Sequence, residues 1–252
     1  MRPFPNAPIL PLTAVACLVA GAAPAAERFV GEAYAPDSGK LLYREVHVVD
    51  DNRQVVQYQC PDGKAFARKV LDGGSNVTGP DFTFVDARSG DEEGVRSKGG
   101  ERIVYTKRGS AAEVAKPLPA MKGGVIDAGF DAYVRKHWDS LGKRGESIPF
   151  LLPSRFAFYD VRLVDGRDTG GKRSMTMKLD SWLAFAAPSV TLTYTTADRQ
   201  LRRFEGMGAI RGANGKRGTV RIEFPPGKRE PGVADTVVDA AVAAPLDGRC
   251  TI

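Results

Sequence analysis

Between residues 155 and 224 apolar and polar side chains alternate with a period of two. Val190, Leu192 and Tyr194 alternate with Thr191, Thr193 and Thr195, and Val220, Ile222 and Phe224 with Thr219, Arg221 and Glu223. The same rhythm runs through Tyr159, Val161 and Leu163, and through Met175, Met177 and Leu179. Successive side chains of a strand point to opposite faces, so this pattern describes strands with one buried and one wet face, as in antiparallel sheets. Connections at 198–200 and 212–218 are short enough for a meander. Upstream, segments 41–49 and 54–60 flank the hairpin-like Asp50-Asp51-Asn52-Arg53, and Pro61-Asp62-Gly63 turns the chain into a strand over 65–71. Shorter strands are expected at 82–85 and 103–107, with the Gly-, Ser- and acid-rich stretch 89–100 as a loop between them. Pro225-Pro226-Gly227 marks the expected end of the core sheet.

One segment has a helical period instead. Phe130, Val134, His137, Trp138 and Leu141 fall at i, i+4, i+7, i+8 and i+11, a single apolar stripe. Asp127 is the expected N-cap of a helix over 128–141, and Gly142 its left-handed stop. Asp131 near the start and Arg135, Lys136 and Lys143 toward the end complement the helix dipole. Segment 234–244 has weaker helical character, because Val237 and Val238 are β-branched. The fold class expected is mainly β (α+β): a curved antiparallel sheet or half-barrel with one amphipathic helix packed across it.

The N-terminus changes the picture of where this domain works. Arg2, the apolar run 9–20 and the small residues of 21–26 are the three parts of a secretory signal, with cleavage expected after Ala25. The run is too short for a membrane span, which needs roughly 20 residues. Cys17 lacks the preceding leucine of a lipid-attachment site. The chain is thus expected to be exported, to the periplasm in a Gram-negative source and otherwise secreted, and not to be an integral membrane protein. The organisation expected is a signal peptide at 1–25, a β-rich domain at 26–226 and a C-terminal tail at 227–252. Loss of Arg2 with the leader lowers the formal net charge from +6 to +5. Cys60 and Cys250 then remain as an even pair in an oxidising compartment, where a disulfide is expected.

Candidate chemistry adds little. Residues 166–173 nearly match a phosphate-binding loop, but Arg173 stands where a hydroxyl must reach magnesium, and strand-like segments flank it; this is a basic hairpin turn. Ser140-Leu141-Gly142-Lys143 matches S-x-x-K without its companion elements and at the end of a helix. His47 and His137, the two histidines, have no ligand-spaced partner, so no metal site is expected, and nothing calls for a cofactor. Tyr43, Glu45 and His47 share one strand face, a polar trio suited either to acid–base chemistry or to a hydrogen-bonded wet face. Asp91-Glu92-Glu93 falls in the expected loop and is read as solvated. Asn76-Val77-Thr78 is a glycosylation sequon, relevant in a eukaryotic source. Between 198 and 229 nine basic residues face three acids, a local +6 suited to anionic lipid headgroups or acidic envelope polymers, or simply a solvated outer face. Export and the absence of interleaved aromatics argue against nucleic acid.

The three C-terminal strands, 190–194, 201–206 and 220–224, resemble the closing strands of bacterial periplasmic half-barrels, the LolA-like lipoprotein carriers and related exported proteins of unknown function. The resemblance covers about residues 155–224, with the helix as a lid. Glu45, Asp86 with Arg88, and Pro153-Ser154-Arg155 look like fixed features of such a family, with no activity attached. The resemblance implies a concave face that shelters an acyl chain or another apolar ligand. Apolar-face residues placed to line such a cavity are Trp138, Tyr159, Val161, Val190, Leu192, Tyr194, Val220 and Ile222. A binding protein for an apolar or amphipathic ligand is therefore expected, with no catalytic residue assigned. An envelope assembly factor using the basic face, and an enzyme centred on Tyr43, Glu45 and His47, remain the alternatives.

Overall fold

The computed structural model describes residues 26–74, 76–141, 147–180, 189–234 and 236–252, so the leader, Gly142 and Lys143 lie outside the described residues. Two meanders build one antiparallel sheet. The first is β1 (Ala26–Tyr34), β2 (Leu41–Val49), β3 (Arg53–Gln59), β4 (Ala65–Asp72), β5 (Asp81–Asp86), β6 (Asp91–Lys98), β7 (Glu101–Lys107) and β8 (Val114–Pro117). After α1 (Gly129–Lys136) the second runs through β9 (Ser147–Leu152), β10 (Ala157–Thr169), β11 (Lys172–Leu179), β12 (Val190–Thr195), β13 (Leu201–Arg211) and β14 (Arg217–Glu223). They join where β14 pairs with β1, with Ala33 opposite Ile222. Gly31 makes that junction close: a Cβ there would stand 2.6 Å from the Phe224 ring.

The sheet is curved and unclosed, with β8 and β9 at its two ends. Bulges at Ala33/Tyr34, Tyr58/Gln59 and Thr193/Tyr194 add the local twist that bends it. A strap spans the open seam. Leu118 N–H donates to Arg102 O (2.8 Å), Ile126 N–H to Thr78 O (3.0 Å), Val125 N–H to Pro149 O (2.8 Å), and Leu151 N–H to Val125 O (2.9 Å). The 3-10 turn Pro153–Arg155 packs against β6 and β7, bringing the two ends of the sheet together.

Several expectations need correction. Residues 89–100 are not a loop: β6 occupies most of them, bracketed by Gly90 and by Gly99-Gly100, all at positive φ. Pro225-Pro226-Gly227 interrupts the sheet without ending it. β15 (Arg229–Val233) resumes pairing on β1, and α2 (Thr236–Ala243) lies on the outer face over Val48 and Val55. Gln57 Nε2 and Arg68 Nη1 donate to the Ala241 and Ala244 carbonyls, satisfying groups the end of α2 leaves open. The last 26 residues expected as a tail are thus strand, helix and a disulfide-anchored terminus. Cys60 and Cys250 are disulfide-bonded, with Cα atoms 5.7 Å apart.

The expected helix is shorter and differently capped. Asp127, at φ +47°, lies before the N-cap Ala128 and pairs with Lys69 Nζ at 2.7 and 2.8 Å. Regular helix ends at Lys136, and 137–141 continue as turns, where Arg173 donates to the Trp138 and Leu141 carbonyls. Four of the five stripe residues are placed as expected, while His137 is half-buried and packs on the Tyr133 ring at 4.2 Å. Phe130, Val134, Trp138 and Leu141 are buried against Ile148, Val161, Leu163, Met175, Leu192 and Tyr194.

Candidate functional site

Seven of the eight cavity candidates belong to packed clusters. Trp138, Val161, Leu192 and Tyr194 are buried in the helix–sheet cluster, with Val190 packed against it, while Val220 and Ile222 belong to the core of the first meander. Tyr159 is half-buried on β10. Trp138 is held on three sides: Tyr194 meets it edge-on at 5.8 Å, and Arg173 and Arg199 lie over it at 4.9 and 5.6 Å. None of the eight lines either of the two clefts described below.

Tyr43, Glu45 and His47 do share one face of β2, and that face points into the core. His47 Nδ1 lies 3.1 Å from Gln54 Nε2, and its Nε2 lies 3.2 Å from Glu45 Oε2. With the Gln54 amide donating to Nδ1, the ring proton sits on Nε2 and is donated to Glu45. Phe29 stacks on the imidazole at 4.5 Å, and Phe224 closes it edge-on at 5.7 Å. Burial, then the nearby Glu45, pushes the Tyr43 phenol well above its ordinary value, and its hydroxyl has no hydrogen-bond partner among the described residues. The trio is a buried polar thread under aromatic cover, and neither cleft reaches it.

The basic stretch is largely spent on ion pairs within the fold. Arg199, Arg202, Arg203, Arg211, Arg217, Arg221, Lys228 and Arg229 all lie within ion-pair distance of acidic side chains. Partners such as Glu27, Glu32 and Asp91 come from β1 and β6, remote in sequence, which is why the local +6 overstated the exposed charge.

Among the described residues, two surface clefts are large enough to hold a small ligand. The first lies on the seam, between the end of β8, the strap and β10, and holds about 480 Å³. Its lining is mixed: Leu118, Met121, Ile126 and Phe158 supply apolar surface, and Asn76 and Arg102 the polar edge. Arg102 is fixed there by Asp81 (2.8 Å) and the Gly79 carbonyl (2.9 Å). Met121 is 47 % exposed and Val114, on the adjoining edge strand, 51 %.

The second cleft, about 510 Å³, lies at one rim of the sheet, lined by Asp86, Arg88, Asp91, Arg108, Arg211 and the chain end at Cys250–Ile252 among others. Asp91 and Glu93, expected in solvent, are buried on the inner face of β6. Glu93 accepts from Arg217 at 2.5 Å and from Arg108 at 3.0 Å. Burial alone would raise the Glu93 carboxyl; Arg217 and Arg108 outweigh it and hold the group below its usual range. Arg88 chelates Asp86 through two nitrogens (3.0 and 2.7 Å), donates to the Cys250 and Arg211 carbonyls, and stacks 4.1 Å over Phe66. The sequence signal missed was spacing: Asp91, Glu93 and Val95 alternate with Glu92 and Gly94 between two glycine turns.

Among the described residues no group of three or more His, Cys, Asp or Glu is placed to hold a metal, and no helix is long and apolar enough to cross a membrane. No family model and no curated protein matches the chain. Among solved structures, the chain is similar to a β-barrel-like protein of a domain of unknown function, DUF1849, from Brucella abortus, at 11% identity and a TM-score of 0.41, over 82% of this chain and 98% of that one.

Proposed function

We propose that the protein is an exported binding protein for an amphipathic ligand, such as a lipid or acyl chain, and that the ligand enters at the open seam in the manner of a LolA-like carrier. The observation that supports this reading is the seam cleft. Its volume lies within the range of small-ligand sites, about 300–1,000 Å³, and its lining has their character, apolar with a few placed polar groups. It also sits where the sheet fails to close, so the walls are a short edge strand and a strap rather than a hydrogen-bonded ladder. Each methylene buried there contributes roughly 0.8 kcal/mol, so a partly enclosed chain gains several kcal/mol.

The test is displacement of a fluorescent fatty acid by envelope phospholipids. Met121→Arg places a charge in the apolar lining at a half-exposed position and is expected to weaken probe binding at least tenfold with an unchanged melting temperature. If wild type takes up no probe, or Met121→Arg binds it equally well, the seam is not a lipid site.

A further inference from the structure

The side chains lining the rim cleft include more guanidiniums, Arg88, Arg108 and Arg211, than carboxylates, Asp86 and Asp91. Three guanidiniums, Arg108, Arg211 and Arg217, gather around two carboxylates, Asp91 and Glu93. Arg217 is fully engaged, with Glu93 and with the Ala209 carbonyl at 3.1 Å. Arg88 is likewise committed to Asp86 and two backbone carbonyls. Arg108 and Arg211 are each held chiefly through one guanidinium nitrogen, Arg108 Nη2 donating to Glu93 at 3.0 Å and Arg211 Nη1 to the Gly215 carbonyl at 2.8 Å. They share Asp91 at 3.9 and 3.3 Å, a loose contact, and Asp91 also accepts from the Gly109 N–H at 3.0 Å. Both guanidiniums line the cleft, and both are part-exposed to it (37 % and 28 % of the side chain).

We infer that the rim cleft is a binding site for an oxyanion, a phosphate ester or a carboxylate, held between Arg108 and Arg211. Guanidinium forks match the paired oxygens of either group and bind them with short, charge-assisted hydrogen bonds. Ser89 stands at the same wall with its Oγ accepting from the Asp91 N–H at 3.3 Å, which leaves its hydroxyl proton to donate. Burial, and then the neighbouring Arg108 and Arg217, pushes Arg211 below the ordinary arginine value; a bound anion relieves that mutual repulsion. The Cys60–Cys250 bridge fixes the wall opposite, since Cys250, Thr251 and Ile252 border the cleft and Ala213 N–H donates to Ile252 O. The site is separate from the seam, and neither proposal depends on the other.

The experiment is a titration of the oxidised protein with inorganic phosphate and, separately, with acetate, each against chloride at constant ionic strength, followed by amide NMR shifts. Saturable shifts are expected at Ser89, Gly109 and Gly212–Gly215, with the tighter of the two anions identifying phosphate or carboxylate as the natural group. Arg108→Gln, at a part-exposed position, should weaken binding at least tenfold. Should Arg108→Gln fail to fold, the location of the wild-type shifts decides alone. No saturable shift with either anion, shifts scattered over the surface, or unchanged affinity in a folded Arg108→Gln overturns the site.

Discussion

The two meanders are built on the same antiparallel ladder and filled in opposite ways. The second presents Ile148, Val161, Leu163, Met175 and Leu192 to the stripe of α1, an apolar contact throughout. The first also has an apolar centre, of Tyr58, Phe66, Phe82 and Phe84, yet every buried polar or charged residue described belongs to it: Glu45, His47, Gln57, Asp86, Asp91 and Glu93. Gln57 is satisfied by the Ala241 carbonyl of α2, and His47 by Glu45 and Gln54; for Asp86, Asp91 and Glu93 the helix α1 explains the difference. A concave sheet face covered by a helix excludes water along its length, and buried charge there would have no compensation. The first meander has no helix inside it, so its inner face runs out to an open rim, where the chain closes the end with ion pairs and a disulfide-pinned terminus. One half is thus closed by packing, the other by electrostatics. The two should fail differently when perturbed.

The largest effect is expected in the packed half. Trp138 is buried between Tyr194 and two arginines, and Trp138→Ala is expected to cost about 3–5 kcal/mol in chemical denaturation. Arg135, exposed and paired among the described residues with Asp131 of its own helix, should change stability by less than about 0.5 kcal/mol when replaced by Ala. Equal, small effects from both would mean that α1 is not what closes this half.

The packed half was also the half legible in the sequence. β10, β11 and β12 alternate because α1 buries one face and the other is wet, and the helix stripe is read from five residues, whereas β9, with the sequence SIPFLL, has no such alternation and was not legible. The charged half misled for a physical reason. Asp91 and Glu93 occupy inward positions, but composition reads an acid-rich, glycine-bounded stretch as solvated, since the arginines that make burial tolerable come from β13, β14 and the turn after β7. Pairing of that kind has no local signature. Asp127 is a similar case: its sequence position suggests a cap, while its partner Lys69 lies 58 residues away. The strap and seam were invisible because they are irregular backbone, fixed by hydrogen bonds to remote carbonyls.

The disulfide should show an intermediate effect, confined to the rim. It closes a loop with a sequence separation of 190, and a bridge of this kind typically contributes about 2–4 kcal/mol. Cys60→Ala with Cys250→Ala is expected to destabilise by that amount and to speed hydrogen exchange at Gly212–Gly215 and at Gly248, whose N–H donates to the Ala65 carbonyl. Exchange in α1 and β11 should stay unchanged after allowance for global stability. A uniform loss of protection would show that the two halves are one cooperative unit, and the contrast between them would be of composition alone.

The smallest effect is the most specific. Glu93→Gln keeps the side-chain shape but leaves Arg108 and Arg217 without their carboxylate, at an expected cost of about 1.5–3 kcal/mol at neutral pH. The Glu93 carboxyl is depressed in the folded protein, so its contribution is present above the unfolded glutamate value, near 4.3, and is lost as pH falls through the lower folded value. The stability gap between wild type and Glu93→Gln should therefore be full at pH 7 and shrink steadily below about pH 5. Trp138→Ala has no titrating group and should show the same gap at both pH values. Urea denaturation of the three proteins at pH 7 and pH 3.5 separates these outcomes. A Glu93→Gln gap that holds constant with pH would mean the carboxylate's charge contributes nothing, and the rim would then be held by packing like the other half.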